Sequence, residues 1–181
     1  VRTRRMLVDF FGDLTNIPIV RFLYIDTDPG WWREHLSKVE KKAQLTPIEY
    51  VDAQVPDASN RYRDIREGHL PNYNWFSLEK LGTMTNITHG AGTIRQLGRF
   101  CFWFHYAKIR DAISDIIRDL TQERHAKFMQ DQYGIQVQSG LNVHIVTSLA
   151  GGTGSGMFLD LAYLVRKLAR DLGVAGSVEV N

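Results

Sequence analysis

The chain has 181 residues, 44% of them hydrophobic, with a formal net charge of +2 and one cysteine. That length and apolar content suit one domain with a sizeable core, and the near-balanced charge argues against nucleic-acid or membrane binding driven by bulk charge. A lone thiol excludes an internal disulfide and suits a reducing cytoplasm, while no apolar run approaches the roughly 20 residues that span a bilayer and no signal-peptide pattern is present.

Residues 1–16 place Met6, Leu7, Phe10, Phe11 and Leu14 on a stripe of helical period, with Arg2, Arg4 and Arg5 on its solvent face. Pro18 separates this helix from a strand at about 20–26, which runs into Asp26-Thr27-Asp28-Pro29-Gly30. Side chains alternate along a strand, so Asp26 and Asp28 point the same way if the strand persists that far. Two readings of the pair stay open: water-mediated ligands of Mg2+, a cation that prefers oxygen, or an Asx-type turn ahead of Pro29-Gly30. The segment at about 31–73 is polar and broken by Pro47, Pro56 and Pro71. It reads as an irregular insertion with a short helix near 31–44, anchored on the core by Trp31 and Trp32; residues 75–81 suggest another short helix.

Gly90-Ala91-Gly92 precedes a helix start, with Thr93 as N-cap and Gln96 completing a capping box. From 94 to about 133, Leu97, Cys101, Phe104, Ile109, Ile113, Ile116 and Leu120 follow a drifting helical face, which predicts a long helix kinked or split near 108–111. Cys101 lies beside Phe102, Trp103 and Phe104 and reads as a buried thiol. Arg99, two turns into the helix, suits equally a contact to a phosphate at the loop or a salt bridge. His89 flanks the glycine loop, but the six histidines show no metal-ligand spacing.

Residues 141–147 predict a central buried strand, 157–172 an amphipathic helix and 177–180 a further strand. Between the first two lies Ala150-Gly151-Gly152-Thr153-Gly154-Ser155-Gly156. A strand feeding a glycine-rich turn that opens a helix offers unpaired backbone N–H groups and the positive end of the helix dipole to a phosphate. Glycines allow close approach and positive φ, and the Thr153 and Ser155 hydroxyls can donate to phosphate oxygens. A P-loop needs Lys and Ser/Thr where Met157 and Phe158 stand, and a Rossmann turn needs glycine where Leu159 stands. Strands alternating with helices imply an α/β fold, a doubly wound parallel sheet with helices on both faces.

The glycine turn resembles the GGGTGSG signature of the tubulin superfamily, with Ala150 in place of the first glycine. The segment at 22–30 is similar to V-D-L-E-P-G of tubulins and I-N-T-D of the bacterial homologue FtsZ. The segment at 90–100 is similar to G-A-G-N-N-W-A-K-G-H-Y. All three stand in family order, and the connecting segments resemble those of the large bacterial tubulin-like proteins. The resemblance implies a partial nucleotide-binding domain over residues 1–181, with GTP or GDP and Mg2+ as ligands. Phosphate contacts would come from Gly90, Ala91, Gly92, Thr93, Ala150, Gly151, Gly152, Thr153, Gly154 and Ser155, and Asp26 and Asp28 would match the family's acidic positions at the metal. It further implies a cytoplasmic GTPase that self-assembles into filaments or oligomers through its nucleotide face, a neighbouring subunit supplying the acidic residue for hydrolysis. No residue here matches that role, so the 181 residues alone are expected to turn over GTP poorly. A non-hydrolysing scaffold that retains the fold is the alternative, favoured by Ala150 and by Thr93 where the family has asparagine.

Overall fold

The structure, a computed structural model, describes residues 2–30, 34, 38–69, 87, 89–174 and 176–181. Helix α1 (Arg2–Phe11) is followed by strand β1 (Tyr24–Asp26), strand β2 (Tyr50–Asp52), helix α2 (Ala58–Arg66), helix α3 (Arg95–Phe104), helix α4 (Tyr106–Leu120), helix α5 (Glu123–Tyr133), strand β3 (Gly140–Val143), helix α6 (Gly152–Asp171) and strand β4 (Ser177–Val180). Short 3-10 turns lie at Leu14–Asn16, Lys41–Ala43 and Pro47–Glu49.

All four strands pair in parallel, β1 with β2 and β3 with β4. The described strands therefore form two separate pairs, not the single doubly wound sheet with helices on both faces that the alternation suggested. The mixed α/β character holds. β3, α6 and β4 make one βαβ unit, in which Leu141 lies opposite Val178 and Val143 opposite Val180.

The core is built mainly on α3, α4 and α6. Leu97, Phe100, Cys101 and Phe102 meet Ile109, Ile113 and Ile117 of α4 and Met157, Leu164, Val165 and Leu168 of α6, with Val51 and Val55 from the β2 side. Cys101 is buried as expected, and its thiol is pushed up to about 12 by that burial, which disfavours the thiolate.

Several sequence expectations change. In α1 the buried positions are Arg4 and Val8, whereas Met6 and Phe10 are 65% and 85% exposed, so the apolar stripe is not the core face. Arg4 is not a solvent-face residue. Its Nε donates to Ala43 O at 3.1 Å, its guanidinium pairs with Glu49 at 2.5 Å and also reaches Gln44 O, and it lies over the Phe22 ring. The supposed irregular insertion contains β2 and α2, and the capping box in it belongs to Thr46 and Glu49. Trp31, Trp32 and the predicted helix at 75–81 lie outside the described residues.

The long helix at 94–133 is three helices, interrupted at His105 and at Thr121-Gln122, not near 108–111. His105 leaves the helical path with its ring Nε2 2.6 Å from Gln54 O, a tertiary contact that no periodicity encodes. α5 ends at Gly134, whose φ of 66° provides the left-handed cap. The buried strand expected at 141–147 stops at Val143, where its partner β4 also stops; Ile145 N still donates to Asn181 O, but Val146 is 93% exposed.

Two outcomes follow from these contacts. Arg4→Met keeps the apolar stem but strands the Glu49 carboxylate and two carbonyls, and is expected to cost about 3 kcal/mol in urea unfolding. Tyr24 and Tyr50 stack across β1 and β2 with ring centroids 6.0 Å apart. Burial first, then neighbouring carboxylates, raise both phenols above 10.0, Tyr50 to about 12. A raised folded-state value means that the unfolded chain loses its proton first, so this stabilisation is complete below pH 10 and lost as pH climbs toward about 12. Tyr50→Phe is expected to flatten the fall in Tm over that window relative to the parent protein.

Candidate functional site

β1 ends in a turn that its own side chains organise. Asp26 Oδ1 accepts from the amides of Thr27 at 2.7 Å and Asp28 at 3.2 Å, and Oδ2 accepts from the Tyr24 hydroxyl at 2.5 Å. Asp28 Oδ1 accepts from Gly30 N at 2.8 Å. These are Asx-type contacts, so the turn reading of the pair is present in the geometry. Among the described residues no group of three or more His, Cys, Asp or Glu side chains could hold a metal ion. The two aspartates are thus not a cage by themselves, and fit Mg2+ only in the manner in which that ion keeps several waters and takes further oxygens from a phosphate.

Thr27, between the two aspartates in the bend that follows β1, is fully buried. Its carbonyl accepts from Gly90 N at 3.2 Å and its Oγ1 accepts from Ala91 N at 3.0 Å. The same Oγ1 lies 2.6 Å from the Thr153 hydroxyl oxygen in the first turn of α6. One side chain therefore touches both glycine loops. β1 stops at Asp26, short of the extension to Asp28 on which the alternation argument depends, so the placement of Thr27 comes from the bend after the strand, a feature no sequence period signals.

The Gly90 loop gains its curvature from two left-handed glycines, Gly90 at φ 87° and Gly92 at φ 56°. Thr93 sits in the exposed turn after them and does not cap the helix. The N-cap is Ile94, without a side-chain bond, and Gln96 Oε1 has no partner among the described residues, so the expected capping box is absent. α6 packs directly beside this loop: a Cβ on Gly152 would lie 2.8 Å from Ile94 N and 2.6 Å from Ala91 O.

α6 begins inside the glycine run, at Gly152, with Gly151 as N-cap. Gly152 N donates to Gly92 O at 2.5 Å, which ties the two loops together by backbone alone. Gly151 has no side chain to cap with, so the amides of Thr153 and Gly154 have no intrahelical acceptor. None of Gly151, Gly152, Gly154 and Gly156 adopts positive φ, contrary to the sequence expectation. They serve close approach: a Cβ on Gly154 would fall on the Thr147 hydroxyl, one on Gly156 on Arg95 O, and one on Gly98 on Gly152 O. Ala150, in place of the family's first glycine, also has ordinary φ, and its amide donates to Ser148 Oγ at 3.2 Å.

The three segments around Asp28, Gly92 and Thr153 thus converge. The Ser155 hydroxyl does not face the shared space; it donates to Gly151 O one turn back. Of the two readings of Arg99 the structure shows the ion pair, its Nε and Nη2 reaching the Asp160 carboxylate at 2.7 and 3.1 Å. This bidentate clamp locks α3 on α6 just beyond the glycine contact.

A family model described as tubulin-like matches residues 1–180, and the chain belongs to that family. No curated protein and no solved structure matches it. Among the described residues no helix is long and apolar enough to cross a membrane.

Neighbouring glycines of the run are expected to differ sharply. A Cβ on Gly151 meets nothing within 4 Å, and its φ and ψ of −85° and 158° suit any residue, so Gly151→Ala should stay within about 0.5 kcal/mol of the parent. Gly152→Ala meets backbone on two sides and is expected to cost about 3 kcal/mol, read from denaturant midpoints.

Proposed function

We propose that this tubulin-like chain binds GTP and GDP with Mg2+ and assembles with copies of itself in a nucleotide-dependent manner. The observation that carries the reading is the hydrogen-bonded convergence of three backbone segments on Thr27 at the amino end of α6. A phosphate there would meet the amides of Thr153 and Gly154, about half a positive charge from the α6 dipole, and the Gly90 loop beside it. Gly90, Ala91, Gly92, Thr93, Ala150, Gly151, Gly152, Thr153, Gly154 and Ser155 frame this phosphate site in the proposal, mostly through backbone. Mg2+ would be held by phosphate oxygens and water, with Asp26 and Asp28 receiving that water. Bound Mg2+ would offset triphosphate charge, and the chain's own part is to position the phosphates and neutralise charge with preorganised donors. Membership of the tubulin-like family supports the choice of guanine base and of self-assembly in this proposal. Hydrolysis, in this reading, is completed by an acidic residue of the neighbouring subunit.

Fluorescent GTP, GDP and ATP analogues titrated in the presence of Mg2+, with sedimentation of the same samples, test the proposal. Saturable binding of GTP and GDP in preference to ATP, and pelleting that requires GTP, are expected. Absence of saturable nucleotide binding sinks it. Polymers that form equally well without nucleotide would transfer the function to a scaffold of the same fold.

A further inference from the structure

We infer that Thr27 is a positioning residue that turns the Thr153 hydroxyl proton outward, toward an anion at the amino end of α6; the inference rests on the phosphate-binding reading of this site. An amide can only donate, so Ala91 N–H takes one lone pair of Thr27 Oγ1 at 3.0 Å. The Thr27 proton lies in the same buried place, and a buried O–H without an acceptor is costly. Among the described residues its acceptor is Thr153 Oγ1 at 2.6 Å. Thr27 therefore donates to Thr153.

A hydroxyl has one proton, and Thr153, as the acceptor in this pair, keeps its own for another partner. Ser155 shows where such a proton otherwise goes: back to the carbonyl one turn earlier, Gly151 O. Thr153 makes no such bond among the described residues, and its side chain is only half-buried. The sequence Ala91 N–H to Thr27 O–H to Thr153 O–H thus runs in one direction, each donor polarising the next. Its open end is a donor beside amides of the same helical turn that have no partner among the described residues, an arrangement that favours an anion and ties the Gly90 loop to its presence.

Thr27→Val keeps the branched shape and deletes the relay, whereas Thr27→Ser restores the hydroxyl. With a fluorescent GTP analogue and Mg2+, Thr27→Val is expected to bind roughly tenfold more weakly and Thr27→Ser within about twofold of the parent. Amide exchange of the nucleotide-free protein is the second readout: Thr27→Val should speed exchange both at Ala91 and in the first turn of α6, and Thr27→Ser should not. Should Thr27→Val fail to fold, Thr27→Cys, with its weak donor, is expected to bind with intermediate affinity. Parent-like affinity in Thr27→Val or Thr27→Cys, or exchange in the α6 turn that does not change, overturns the inference alone. A parent protein that binds no nucleotide overturns the proposed function and this inference with it.

Discussion

Two helices that meet backbone to backbone set up everything else in this molecule. α3 and α6 cross near their amino ends at positions where neither carries a side chain: Gly98 faces the Gly152 carbonyl and Gly156 faces the Arg95 carbonyl. The loop that precedes each helix is then forced beside the other, which is why Gly152 N can reach Gly92 O. The Arg99–Asp160 pair holds the crossing from one side, and Leu97, Phe100 and Met157 fill the core beneath it. The site is thus a by-product of helix packing, and its precision is inherited from a dry, close contact that tolerates no added methyl.

β1 supplies the third segment through one buried hydroxyl. Without Thr27, the Ala91 amide would lie buried without an acceptor, a loss comparable with a sizeable part of a domain's net stability. Its two flanking carboxylates shape the turn that delivers it, since Asp26 accepts from the amides of Thr27 and Asp28. The turn takes two bonds on Asp26 Oδ1, one on Asp26 Oδ2 and one on Asp28 Oδ1, which leaves one lone pair of Asp26 Oδ2 and most of the Asp28 carboxylate outside the turn contacts.

Much of this arrangement was legible in the sequence, and what was not has physical causes. The strand at 177–180 is a local pattern that the structure has at the same residues, whereas the helix expected at 157–172 begins five residues earlier, at Gly152, inside the glycine run. Arg4 was misread because a charge on a helix signals solvent unless its partners are known, and those partners lie 39 to 45 residues away. β2 was missed because three residues, Tyr50, Val51 and Asp52, are too short to show a period, and they become a strand only by pairing with β1. Thr93 and Gln96 satisfy a capping pattern, yet the helix has Ile94 as its N-cap and no side-chain capping bond. At 150–156 the glycines answer a demand for space, not for an unusual dihedral angle as their number suggests.

The bonds at Thr27 join residues 64 and 126 positions apart. Closing such loops is entropically unfavourable, and that cost is offset only when the three segments are held together. Any small molecule that grips all three segments would act as a clasp on the whole domain, raising its melting temperature in proportion to the logarithm of concentration. Occupancy and structural integrity are then one equilibrium, and a half-formed chain presents no recess to fill.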